Sequence, residues 1–345
     1  VISIVIAAVV GIYYYQTFQH SYYVLGPYLY DTELFNYIVG PKSAWLQLPP
    51  VIAMPNFFYV HISPILLPFS TISSMLGLRD MQPLEMVLIL GFSGAAVAAF
   101  LVVQYYLRSL GSILSMALGA VFALAFAFCG TMQSTASYPH IEILYVAPAV
   151  ISLLLIFHRH LRWAWVAFLA TLFVREDTGL HIACILGAYL VLAAIGERGV
   201  PARTKDVLPF LLAGLAYPAL VLLIQNAFLA LPEQSNFTRI YSGTPAYAHL
   251  TADFMAHRFN LMLTRHPHSL LLLAASLIPF ALRPRWIALT GFVAAIPWFV
   301  VSVTAHSEAA GAFMLYYAFP FLVLPLVPYV VTAKLPSTEA VYVPL

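Results

Sequence analysis

Asp31 and Glu33 stand one residue apart in "YDTELFN", a stretch that ends on Asn36. Four other segments carry ionisable groups to the edges of apolar runs. They are "YVHISP" with His61, "YPHIEI" with His140 and Glu142, "VREDTGLH" with Arg175, Glu176, Asp177 and His181, and "AHSEAAGAF" with His306 and Glu308. A carboxylate in a partly dry cleft is suited to general-base work. Oxygen ligands from Asp31, Glu33 or Glu142 could hold a divalent ion. Ionisable groups at membrane depth are costly, and by default they mark a pathway, a partner or a site.

Each group also has a plainer reading. Asp31 and Glu33 could be solvated acids, or Asp31 could cap a helix beginning at Thr32. His140 and Glu142 could mark where a span meets water, and His61 could cap a helix. Arg175, Glu176 and Asp177 could form an internal ion pair at a hairpin apex. His306 and Glu308 could belong to a short loop with Gly311. Taken together they are harder to dismiss, because independent loops need not all carry histidines or paired acids.

The elements that must position these residues are apolar helices. Of the 345 residues 62% are hydrophobic and only 8% charged, with mean hydropathy +0.91, against about 25% charged in soluble domains. A net charge of +2 is too small to imply a nucleic-acid partner. A barrel would show alternating segments of about ten residues, whereas these runs are long and continuous. Cys129 and Cys184 sit inside such runs and read as packing residues.

At about 20 apolar residues per crossing, spans are predicted near 1–15, 84–107, 111–129, 141–157, 162–174, 179–196, 207–231, 268–282, 285–305 and 313–332. The chain thus reads as one all-α domain over 1–345, a polytopic transmembrane bundle of about ten spans. The run 61–78, broken by Pro64 and Pro68, reads as an interfacial or re-entrant helix. Nine of the 15 basic residues fall in the even-numbered loops, among them Arg108, Arg159, Arg203 and Arg283. The positive-inside rule places that side in the cytoplasm. The odd-numbered loops, among them the long ones 16–83 and 232–267, then face outward, and that side holds ten of the 13 acids and nine of the 11 histidines. "FMAHRFNLMLTRHPH" in the second long loop reads as a short interfacial helix. No Walker loop, GxGxxG, HExxH or GxSxG is present. A secondary transporter would be expected to place charges near mid-membrane, whereas these lie at one face.

An acid motif just after the first span, interfacial helices in the first outer loop and an apolar multi-span remainder resemble the GT-C glycosyltransferases. These are integral membrane enzymes that use polyprenyl-phosphate-linked sugars. More narrowly, "YDTELFNYIV", "HISPILLPFS", "HIEILYVAPAV", "VREDTGLHIACILGAYLVL" and "YYAFPFLVLP", in this order, resemble a GT-C-like bacterial and archaeal membrane family of unknown function. The resemblance covers nearly the whole chain. It implies sugar transfer at the outer face of a bacterial cytoplasmic membrane, with Asp31 as base or metal ligand and Glu33 as a second acid. Glu142 and Asp177 join them as catalytic candidates. His61, His140, Arg175, Glu176, His306 and Tyr316 are the substrate-binding candidates. Arg175 replaces the family's usual lysine and keeps its charge. The departing phosphate would meet Arg175, Arg258 or Arg265, or a Mg2+ or Mn2+ ion held by Asp31 and Glu33. The soluble periplasmic domain of larger GT-C enzymes has no counterpart in the sequence, so a membrane-protein partner could supply acceptor binding. A non-catalytic subunit of a membrane assembly is the main alternative reading, and a lipid or small-solute transporter the third.

Overall fold

The computed structural model describes residues 1–24, 29–40, 61–196, 202–228, 238–282, 284–313 and 315–333. Among these residues there is no strand. The first half contains helices α1 (Ile2–Tyr23), α2 (Leu29–Val39), α3 (Leu66–Leu76), α4 (Gln82–Tyr106), α5 (Ser112–Ala127), α6 (Gly130–Ala136), α7 (Val146–Phe157) and α8 (Leu161–Leu172). Then come α9 (Thr178–Gly196), α10 (Thr204–Phe228), α11 (Ala252–Thr264), α12 (Pro267–Ala275), α13 (Ile278–Leu282) and α14 (Thr290–Val303). The short helices α15 (Glu308–Gly311), α16 (Phe319–Val323) and α17 (Val327–Thr332) close the order.

Among the described residues five helical stretches are long and apolar enough to cross a membrane: α1, α4, α9, α10 and the run Trp286–Val303. The pairs α5–α6, bent by 47°, and α11 with Pro267–Leu282, bent by 74°, raise the number to seven if each pair counts once. These helices fit a membrane-embedded all-α bundle. The stretch 61–78 yields only α3, whose 11 residues fall short of the roughly 20 needed to span. The run 313–332, expected as one span, is instead broken into α16 and α17. Pro320, Pro325 and Pro328 each lack the N–H that a continuing helix requires.

Two glycine contacts fix the elements that matter for chemistry. A Cβ on Gly91 of α4 would stand 2.6 Å from Ile143 Cγ2. Only glycine therefore lets the 3-10 turn Ile141–Tyr145, which carries Glu142, lie this close to α4. A Cβ on Gly179 would stand 2.5 Å from the Gly214 carbonyl oxygen, so the start of α9 rests on the backbone of α10. The turn from α8 into α9 is stapled by Thr178. Its buried hydroxyl lies within hydrogen-bond reach of the carbonyls of Thr171 (2.8 Å) and Arg175 (2.7 Å) and has one proton to share between them. Arg175, Glu176 and Asp177 are presented from that apex.

Candidate functional site

A carboxylate buried beside apolar helices needs a partner, and here one arginine serves three. Arg175 Nη1 donates to Glu142 Oε1 at 2.8 Å, Nη2 stands 3.0 Å from Asp177 Oδ2, and Nε lies 3.9 Å from Glu176 Oε1. Each acid also has its own histidine. His140 Nδ1 meets Glu142 Oε2, His61 Nδ1 lies 2.9 Å from Glu176 Oε1, and His181 Nε2 lies 3.8 Å from Asp177 Oδ2. Glu142 is wholly buried, and His140 and His181 are nearly so. The cluster is an arginine hub with three acid–histidine pairs, drawn from segments more than a hundred residues apart.

The backbone around the hub is equally tied. Ile62 N donates to Glu176 Oε2 at 3.3 Å, and Ile65 N to the Phe173 carbonyl at 3.1 Å. Both bonds hold residues 62–65 of the first long loop against the α8–α9 apex. Aromatic rings wall the cluster. Phe35 of α2 packs edge-on to His140, with centroids 4.3 Å apart, and stacks on His61 at 6.4 Å. Trp298 and Phe319 flank His181 at 4.3 and 5.2 Å.

Electrostatics follow from this geometry. Burial opposes the charge on Asp177, but Arg175 and then His181 outweigh it and hold the carboxyl well below the usual carboxylate range. Burial likewise disfavours charge on Arg175, yet Asp177, Glu142 and Glu176 together keep it firmly protonated. At His61 the penalty of burial is overcome by Glu176, and its pKa is raised above the ordinary 6.5. At His140 burial wins over Glu142 and the pKa falls, so a neutral ring donates its Nδ1–H to the acid.

The His61 shift has a testable sign. A raised folded-state pKa means that the stabilisation from the His61–Glu176 pair is complete below about 6.5 and is lost as pH rises through the raised value. Thermal unfolding in nanodiscs should therefore weaken from pH 6 to pH 9, with the pair contributing about 1 kcal/mol at the acidic end. His61→Gln should flatten that slope. Parallel curves for the two proteins would show that the pair does not titrate in this range.

Asp31 and Glu33 both lie on α2, where the backbone is described but their side chains lie outside the described residues. A non-helical backbone at 30–33, which would let Asp31 and Glu33 reach one ion, is not observed, because α2 already begins at Leu29. Successive helical positions turn by about 100°, so positions 31 and 33 fall on opposed faces. Position 31 lies one turn before Phe35 on the face that meets His140, and position 33 does not. A shared metal at Asp31 and Glu33 therefore fits this backbone poorly. Among the described residues no three His, Cys, Asp or Glu side chains are grouped to hold a metal ion.

Other candidates are dispersed. His306 lies outside the hub, exposed against His249, with ring centroids 5.0 Å apart. Exposed Glu308 faces His257 at 3.9 Å. Tyr316 falls in the 3-10 turn Leu315–Ala318, and its side chain lies outside the described residues. Arg258, expected to face a phosphate, is buried and committed to backbone. It donates to the carbonyls of Ala305 (3.0 Å), Ser307 (3.2 Å) and Glu308 (2.8 Å), under Gly311. Arg175 is likewise committed, to its acids. Arg265, at the end of α11, is exposed.

Tyr145 and Phe35 carry no mark of a site in the sequence by residue type, and His181 stands out there only as one of the groups of "VREDTGLH", without a role. The signal for two of them is spacing, since His181 follows Asp177 by four residues and Phe35 follows Asp31 by four. Compared with known protein families, curated proteins and solved structures, the chain matches none.

Proposed function

We propose that the chain is a membrane glycosyltransferase of the GT-C type. It would move a sugar from a polyprenyl-phosphate donor to an acceptor at the outer face of a bacterial cytoplasmic membrane. One observation supports this above the others: α2, the helix after the first span, packs through Phe35 onto the arginine hub, with position 31 on the same face. In the reaction the acceptor hydroxyl oxygen attacks the anomeric carbon and its proton passes to the Asp31 carboxylate. The carbon–oxygen bond to phosphate breaks with inversion, and the polyprenyl phosphate departs with the electron pair. The hub keeps Glu142 and Asp177 ionised and fixed, which orients the floor of the site before substrate arrives. No step is routed through a metal, since the helical backbone separates the two acids expected to share one.

The test is transfer in proteoliposomes with a panel of radiolabelled polyprenyl-phosphate sugars and a lipid acceptor. Wild type should yield a labelled product with at least one donor. If every donor returns intact, the non-catalytic subunit is the better reading; intact donor carried across the bilayer would make the protein a transporter.

A further inference from the structure

Three buried polar atoms in and beside the hub, in addition to Arg175 Nε, lack a hydrogen-bond partner: Asp177 Oδ1, His181 Nε2 and Tyr145 Oη. Their hosts are adjacent. The Tyr145 and His181 rings are 5.8 Å apart, and the Asp177 charge acts on the Tyr145 hydroxyl. The 3.8 Å gap between His181 Nε2 and Asp177 Oδ2 is too long for a direct hydrogen bond. Tyr145 and His181 wall a small cavity together with Cys184, Ala294, Ala295 and Trp298, and Asp177 adjoins it through His181. The alanines and the cysteine leave space where larger side chains would close it. That space suits about one water molecule, and an apolar cavity of this size would stay dry without polar partners.

We infer that this corner is a hydration site, in which one buried water joins Asp177, His181 and Tyr145. The water oxygen accepts from His181 Nε2–H and from Tyr145 Oη–H. One of its hydrogens goes to Asp177 Oδ1, and the other is left for Oδ2. Three orphaned atoms are satisfied at once, which is the usual complement for a buried water. The bridge sets the His181 tautomer, with the proton on Nε2, and couples it to the acid that Arg175 holds. It does not depend on the reaction proposed above.

A structure of the protein in lipid nanodiscs that resolves ordered solvent should show one peak at about 2.6–3.2 Å from each of the three atoms. Tyr145→Phe removes a single hydroxyl and keeps the ring that packs on His181, so the fold should persist while the peak is lost. An empty cavity in the wild type, with His181 and Asp177 in direct contact, overturns the assignment. So does a peak that survives unchanged in Tyr145→Phe, because the hydroxyl would then not be a ligand.

Discussion

Arg175→Met should be the most damaging single substitution to stability. Removing one partner of a buried ion pair leaves an uncompensated charge, at a typical cost of about 3–5 kcal/mol. Here Glu142 and Asp177 would both lose a nitrogen at 2.8–3.0 Å. Unfolding followed in detergent or nanodiscs should show a loss of that order. Arg175→Lys keeps the charge but not the two-armed guanidinium, so it should fall between wild type and Met. Adding Glu142→Gln to Arg175→Met should recover part of the loss, because one stranded carboxylate becomes a neutral amide. A Met variant within about 1 kcal/mol of wild type would mean that the hub is solvated decoration, of the weight expected for exposed pairs.

The same hub shows what the sequence could and could not reveal. Composition alone pointed to apolar helices, and "VREDTGLH" marked a hairpin apex with charges that needed partners. Which charges pair is a tertiary fact, since Glu142 lies 33 residues from Arg175 and His61 lies 115 from Glu176. The Gly91 and Gly179 contacts that place them depend on partner backbones that no local pattern identifies. Two features of the fold have local causes in the sequence. Pro325, between α16 and α17, lacks the N–H that would join them, and nothing in "LYDTELFN" opposes a helix from Leu29. Arg258 is a different case. Its charge suggested a phosphate ligand, but three backbone carbonyls near the end of α14 compete for the same donors.

The helical α2 sharpens the test of mechanism. With an extended backbone Asp31 and Glu33 would act together and both substitutions would abolish activity. On a helix they diverge, and only position 31 shares the face on which Phe35 meets His140 and His61. Asp31→Asn preserves shape and removes basicity, so glycosyl transfer should fall by about 10²–10⁴. Glu33→Gln should leave the rate nearly unchanged. Folding should be little altered in either variant, which unfolding measurements on the same preparations can check. Equal losses from both substitutions would restore a shared role for the two acids and refute the division of labour between the faces of α2. Full activity in Asp31→Asn would remove it as the base. The proton acceptor would then have to come from the hub itself, where His61, His140 and His181 each already sit beside a carboxylate.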